Sequence, residues 1–413
     1  MAVRASKGSK ILSIRKIHPV RKLYAGCQPP PAARATTHAT LVPVFASPTM
    51  EYLMTFASPA PLTREQVACF EREVNAIRDE VMHNLGQRDV DHIRRMIRLC
   101  RACEIGGRAL LHFGLGPLSM VGGVLLLAGA KILDNMEIGH NVMHGQYDWT
   151  GDPALNSQTF EWDIACDGEA WRHSHNVTHH TYTNILGKDR DLGYSLLRMT
   201  PEQRWKPRHW LQPLANLMLA IGFQYGVGSH DLELGRYKYG VIPKEVFQSR
   251  LQRFLSKTYK QWFKDYLLFP LLAMWSAPRV LAGNLLANLL RNLWTYLIIF
   301  CGHFTEGVAI YREEDTLNET RGDWYLRQLS GSSNLRGPRW FHILTGHLSH
   351  QIEHHLFPDM PAHHYPEVAP KIEVLCKKYG LFYNTGGLAR QYWTVMQRIM
   401  RNTLPPKAQS NYN

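Results

Sequence analysis

The sequence predicts an all-α integral-membrane protein, with four transmembrane helices and a cytoplasmic helical cap that carries clustered histidines. Three observations predict it. The apolar residues come in blocks: Ala109 to Ala130 and His209 to His230 are each 22 residues without Asp, Glu, Lys or Arg, and the 40 residues from Tyr266 to Thr305 hold only Arg279 and Arg291. Uncharged apolar runs of about 18 or more are membrane-span candidates, even though the mean hydropathy of −0.27 is that of an ordinary soluble chain. Second, Arg94, Arg95, Arg98, Arg101 and Arg108 precede the first run, and the positive-inside tendency places that end in the cytoplasm. Third, eleven of the 21 histidines fall in four short stretches beside these runs or at their ends.

The chain divides into three parts. Residues 1–62 read as a disordered or processed extension, rich in Pro, Ala, Ser and Thr. Its first 50 residues hold eight Lys or Arg and no acid, as in an organelle transit peptide or a chain translated from upstream of a start at Met50 or Met54. The net charge of +13 is thereby only +5 over the remainder. No basic stripe interleaved with aromatics is left to bind nucleic acid. Seven scattered cysteines point to a reducing compartment, and the lone Cys100-x-x-Cys103 has no second pair to complete a zinc site.

The main domain is expected over 63–395. Thr63 and Gln66 have capping-box spacing, and Phe70, Val74, Ile77 and Val81 then recur at helical intervals. Gly114, Gly116 and Pro117 interrupt the first apolar run and can turn a hairpin with arms of roughly 100–116 and 118–138. The Tyr266 to Thr305 segment is long enough for two crossings, with its turn expected between Arg279 and Arg291. The run 209–230 carries Gln212, Pro213, Asn216 and Gln224 and is read as an interfacial helix. Parity demands this: histidines on both sides of the segment can meet on one membrane face only if an even number of crossings separates them. Residues 396–413 are expected to be a flexible tail.

The four histidine stretches are H-N-V-M-H (His140, His144), H-S-H-N-V-T-H-H (His173, His175, His179, His180), the single His303 in C-G-H-F-T, and H-L-S-H-Q-I-E-H-H-L-F-P (His347, His350, His354, His355). Residues four apart share a helix face, and adjacent ones diverge by about 100°. His140 and His144 can therefore grip one ion, while in H-x-x-x-H-H the last histidine turns toward a neighbouring ion. Two such doublets and a pair imply two metal ions. All-imidazole ligation suits Fe, Zn, Cu or Ni, but eight or nine histidines exceed the four ligands of structural zinc, so iron with open positions fits better.

With these residues in view, the chain resembles the integral-membrane fatty acid desaturase family, whose three histidine boxes bind a non-haem di-iron centre. Q-I-E-H-H-L-F-P (Gln351 to Pro358) looks like the third box of front-end and acyl-CoA desaturases, and G-H-N-V-M-H-G-Q with H-S-H-N-V-T-H-H is similar to the bacterial and mycobacterial acyl-CoA branch. The resemblance covers roughly residues 65–390. It implies metal ligands at His140, His144, His175, His179, His180, His303, His354 and His355, although the second box has a gap of three residues where many relatives have two. The remaining ligand is His350, with the adjacent Gln351 as its rival. His173 and His347 are expected to support the ligands, and Glu137, Glu169, Asp189, Asp191 and Glu353 are candidates to orient the rings.

The resemblance further implies O2-dependent desaturation of a long-chain acyl-CoA or acyl-lipid at a multi-pass protein of a bacterial inner membrane, with two Fe ions facing the cytoplasm. The fused haem motif H-P-G-G and nucleotide fingerprints are absent. Electrons are therefore expected from an external ferredoxin-like or haem-protein donor with its NAD(P)H reductase, docking near Arg172, Lys188, Arg190, Arg336 and Arg339. Two other activities use similar residues. A di-iron hydroxylase of an alkane, sterol or carotenoid would share the scaffold. A membrane metal-handling protein such as a zinc transporter would need ionisable ligands inside the apolar runs, whereas these lie at the ends.

Overall fold

The computed structural model describes residues 62–405. The extension expected over 1–62 lies outside the described residues except for Leu62. The fold is mostly helical, as expected. A two-stranded parallel pair, β1 (Asn334–Arg336) on β2 (Thr385–Gly387), is the sheet among the described residues.

Helix α1 (Arg64–Met82) starts at the predicted capping box: Thr63 Oγ1 accepts from Gln66 N–H at 3.2 Å, and Thr63 N–H donates to Gln66 Oε1 at 2.9 Å. Its stripe of Phe70, Val74, Ile77 and Val81 is buried in a cap core with Tyr325, Ile352, Phe357 and Ile372. Two long hairpins follow. In the first, α2 (Gln87–Phe113) turns at Gly114 and Leu115 into α3 (Gly116–Ile132), which continues through a π-helical stretch, Leu133–His140, to Asn141–Met143. This is the predicted turn. The two helices approach closely because a Cβ on Gly107 would stand 2.7 Å from Leu127 N, and one on Gly123 would stand 2.8 Å from Leu111 Cγ.

The second hairpin corrects the sequence reading. Helix α7 (Lys244–Trp262) continues through a π-helical stretch (Phe263–Leu268) to Leu272, and the turn falls at Met274–Ser276 rather than between Arg279 and Arg291. From there α8 (Ala277–His303) runs unbroken. Pro278 explains the start, since proline suits the first helical turn. Arg279 does not face a water-filled turn. It donates to Leu110 O at 3.1 Å and Ser119 Oγ at 2.5 Å, satisfying the end of α2. Arg291 is buried and donates to Asp163 O at 3.1 Å.

Among the described residues two helices are long and apolar enough to cross a membrane: Gly116–Met143, 28 residues, and Met274–His303, 30 residues. The sequence expectation was four. Beside them lie α2 and α7, whose charged turns keep their average hydropathy low. Both hairpin tips meet, with Ser276 Oγ donating to His112 O at 2.8 Å. The tips are strongly apolar: Leu115 is 91%, Leu118 87% and Trp275 82% exposed. The run 209–230 forms two short helices, α5 (Gln212–Ile221) and α6 (Phe223–His230), broken at Gly222. Each is far shorter than the ~20 residues a crossing needs.

The remaining helices are α4 (Gly168–Trp171 with its continuation to Tyr182), α9 (Arg321–Ser330), α10 (Gln351–Leu356), α11 (Tyr365–Tyr379) and α12 (Leu388–Arg401), which gather at the histidine-bearing end. The last of these runs past 396 to Arg401 and buries Ile399, so residues 396–401, expected in a flexible tail, are helical.

Candidate metal centre

His140 ends the π-helical stretch after α3, and His303 is the last residue of α8. At 1.5 Å per residue both lie about 36–39 Å from the hairpin tips, so the two apolar helices deliver histidines to the same far end. The shorter helices at that end supply the rest. Asp167 caps α4 by accepting from Ala170 N–H at 3.1 Å, and the helix then widens into a π-helical stretch, Arg172–His179. The widening corrects the expected geometry of the second cluster. A π-turn closes from i to i+5, and His180 N–H accordingly donates to His175 O. His180 is thereby brought back over His175, their Nε2 atoms 3.3 Å apart, instead of being turned away. The extra residue between His175 and His179 is absorbed by the extra residue in the turn.

The buried imidazoles form two poles. Donor atoms of His140, His144, His175 and His354 lie within 4.8 Å of one another, as do those of His179, His303 and His355, while His180 groups with His354 and His355. Thus eight of the nine histidines expected as ligands are brought together. The ninth is not. His350 stands before α10 with its ring 4.6 Å from that of His342 and its Nδ1 3.4 Å from Ser349 Oγ. Its neighbour Gln351 points inward instead, with Nε2 2.9 Å from His303 Nε2. Gly302 permits this, because a Cβ there would stand 2.9 Å from Gln351 Cγ.

The surroundings fix which nitrogen each ring offers. Asp189 accepts from His179 Nδ1 at 3.0 and 3.1 Å, Asn141 Oδ1 lies 3.2 Å from His140 Nδ1, and Gln328 Oε1 lies 2.9 Å from His355 Nδ1. Each leaves Nε2 as the free donor atom. Nε2 of His140, His144 and His354 and Oε1 of Gln351 are buried without a hydrogen-bond partner. Such atoms are costly alone and fit a bound cation. Burial pushes His180, His354 and His355 well below the ordinary imidazole range, keeping their lone pairs free. Burial would lower His179 too, but the carboxylates of Asp189 and Asp191 hold it above its ordinary value.

Of the acids expected to orient the rings, Asp189 does so and Asp191 lies 3.8 Å from His175 Nδ1. Glu137 instead bridges His92 and His347, at 2.8 and 3.0 Å. Glu353 holds Asn334 and Tyr383, each at 2.8 Å, and Glu169 is an exposed partner of Arg253. His173 is exposed. Gln328, Asn141 and Thr183, which lies 3.3 Å from His355 Nδ1, had no signal in the sequence because neutral side chains carry no motif. Of the expected donor-docking cations, Arg190 is tied to Glu233 at 2.6 Å and Lys188 to Glu313 at 3.0 Å, whereas Arg336 and Arg339 are exposed.

Against the pole that holds His140 and His175 lies a small cavity of about 60 Å³, lined by Met136, Phe223, Val227 and Ile299 on its apolar side and by Asp191, Asp231 and Arg291 on its polar side. The profile described as fatty acid desaturase matches residues 115–387, which includes every histidine of both poles.

The chain belongs to the fatty acid desaturase family.

It is 42% identical over 352 residues to the NADPH-dependent stearoyl-CoA 9-desaturase of Mycobacterium tuberculosis, an alignment covering 84% of this chain and 82% of the relative. More distant similarity reaches the sn-1 linoleoyl-lipid 6-desaturase of a Synechocystis strain, 28% over 269 residues, covering 63% of this chain and 74% of the relative. The acyl-lipid (7-3)-desaturase of Rebecca salina is 29% identical over 289 residues, covering 65% and 63%. The chain is therefore a desaturase that carries buried histidine clusters able to hold metal.

Proposed function

We propose that this desaturase introduces a double bond into a long-chain acyl-CoA, at the 9-position, using O2 at a di-iron centre. The ligands would be His140, His144, His175, His179, His180, His303, His354 and His355, with Gln351 in place of His350. The observation that carries the reading is the pair of adjoining buried imidazole poles, the first of which borders a small, mainly apolar cavity. The stearoyl-CoA 9-desaturase of M. tuberculosis supports the acyl-CoA substrate and the position.

With two irons bound, the centre would supply the oxidising power that an unactivated C–H bond requires. What the protein does is positional. The cavity would receive the reacting part of an acyl chain beside His140 and His175, and would have to widen to take its full length. Asp189, Asn141 and Gln328 hold the tautomers that present Nε2 to the metals. The cations Arg336 and Arg339 remain for an acidic redox partner, ferredoxin-like or a haem protein, fed by NADPH as the name of the mycobacterial relative suggests.

The same reading sets the membrane arrangement. Four crossings, α2, α3, α7 with its continuation, and α8, put both apolar tips at the far side. The metal poles emerge beyond a ~30 Å hydrocarbon core on the cytoplasmic side. The broken α5–α6 segment lies along the interface, offering exposed Leu214, Leu217 and Met218, with exposed Trp210 in the turn just before it.

Expression in a host lacking the activity, with gas chromatography of its lipids, should show a new 9-unsaturated fatty acid. Purified enzyme should contain about two irons per chain, and alanine at His179, His180, His354 or His355 should remove both iron and product. One zinc per chain with activity kept in those variants would overturn the di-iron assignment.

A further inference from the structure

We propose a second metal site, separate from the two poles, in which Asp89, His363 and His364 bind one divalent cation of the zinc class. Three donor atoms converge there. Asp89 Oδ1 lies 2.9 Å from His363 Nε2 and 2.7 Å from His364 Nε2, and all three atoms lie within 4.8 Å of one another. Adjacent side chains on a helix diverge by about 100°. These two histidines escape that divergence because the tight turn Ala362–His364 precedes α11, and their rings sit 4.3 Å apart with a 36° tilt.

The other features suit a cation rather than a chance contact. The second oxygen of Asp89 is already used, accepting from Gly86 N–H at 2.7 Å at the start of α2, so the carboxylate is held in place with Oδ1 turned to the histidines. Burial and the neighbouring His92 push the His363 ring down to about 3, which keeps the ring neutral, with the Nε2 proton facing Asp89 as the one an ion would displace. His363 also stacks on His92, ring centroids 4.3 Å apart, which fixes its plane. Two imidazoles and one carboxylate match the borderline preference of zinc, not that of Mg²⁺ or Ca²⁺. The side chains of His363 and His364 are 17% and 18% exposed, which leaves an approach for the ion and room for water as the fourth ligand.

In a tetrahedral zinc site the ligand atoms stand about 3.3 Å apart. The present spacings are hydrogen-bond lengths, so an ion would take the place of the shared protons and spread the atoms by roughly half an ångström. Its effect would be a staple. Asp89 belongs to the first hairpin, and His363 and His364 follow closely on the segment that carries His354 and His355. The ion would tie the membrane helices to the cap.

The test uses full-length enzyme in detergent, stripped with chelator and titrated with Zn²⁺ alone, then with Co²⁺ alone. Wild type should retain one zinc per chain more than the His363→Gln/His364→Gln double variant. It should also show a Co²⁺ visible absorption component that the double variant lacks. Because the readout is the difference between the two proteins, it holds whatever metal the central poles take. The single variant His364→Gln should bind the extra Zn²⁺ at least tenfold more weakly while its far-ultraviolet circular dichroism is unchanged. Equal zinc stoichiometry in wild type and double variant, or unchanged affinity in His364→Gln, would overturn the proposal.

Discussion

Replacing Asp189 by Asn keeps the shape of the side chain and removes its charge. In the structure both oxygens are fully engaged. Oδ2 accepts from Asn184 N–H at 2.7 Å and His179 Nδ1 at 3.0 Å, and Oδ1 accepts from Asp191 N–H at 2.9 Å and the same ring nitrogen at 3.1 Å. An asparagine has one oxygen, so its NH2 group must face one of those two backbone donors. That N–H loses its acceptor, costing roughly 1–3 kcal/mol of stability. The imidazole loses a charge-assisted partner, and substitutions that break such support cost about 10–100-fold in metal affinity, or about 1.4–2.7 kcal/mol. Asp189→Asn should therefore melt earlier than wild type and release iron to a competing chelator at a correspondingly lower chelator concentration. Its far-ultraviolet circular dichroism should be retained. Iron retention equal to wild type would refute the idea that Asp189 sets the donor strength of His179.

Two more outcomes follow from the site. Gly302→Ala places a Cβ 2.9 Å from Gln351 Cγ, so the Gln351 side chain must leave His303, and activity should fall about tenfold or more. Gln351→Ala should reproduce the loss, and wild-type turnover in Gly302→Ala would remove Gln351 from the site. Metal-free enzyme should also be acid-sensitive. His180, His354 and His355 are held well below the ordinary imidazole value. Above about pH 6.5 they are neutral whether folded or not; below it only the unfolded chain takes up protons, so stability drops as pH falls. His179, held high, works in the opposite sense and offsets one ring's share. A melting temperature that stays level or rises from pH 8 to about 5 would contradict this.

The parts of the molecule that were legible in the sequence are those where side chain and backbone agree. The capping box at Thr63 and the Gly114–Gly116 turn were readable because residue chemistry dictates local geometry. The second turn was misplaced because Ser276 and Pro278 sit inside a long apolar run with no Gly or Asn beside them, and because the arm before it starts in the polar stretch from Lys244. Clustering in the sequence anticipated which histidines gather in the structure, for eight of the nine expected as ligands, because buried imidazoles in that number have few other uses. The choice between His350 and Gln351 was not readable. It depends on the backbone at His347, with φ of 58°, and at His350, with φ of −108° and ψ of 58°, which together rotate the start of α10. The π-helical stretches at Leu133–His140 and Arg172–His179 leave no residue-level trace either, since their cause is the demand of the fold on the ring positions.

The π-turn around His175 also bears on how this region can change length over evolution or in engineering. In a regular helix, deleting one residue swings everything beyond it by about 100°, and a ligand lost that way has no route back. Here the turn already holds a surplus residue. Removing one position from Asn176 to Thr178 would let the turn relax to α geometry with His179 and His180 displaced far less. A protein built this way can exchange spacings between its relatives one residue at a time, without passing through a chain that has lost its ligands.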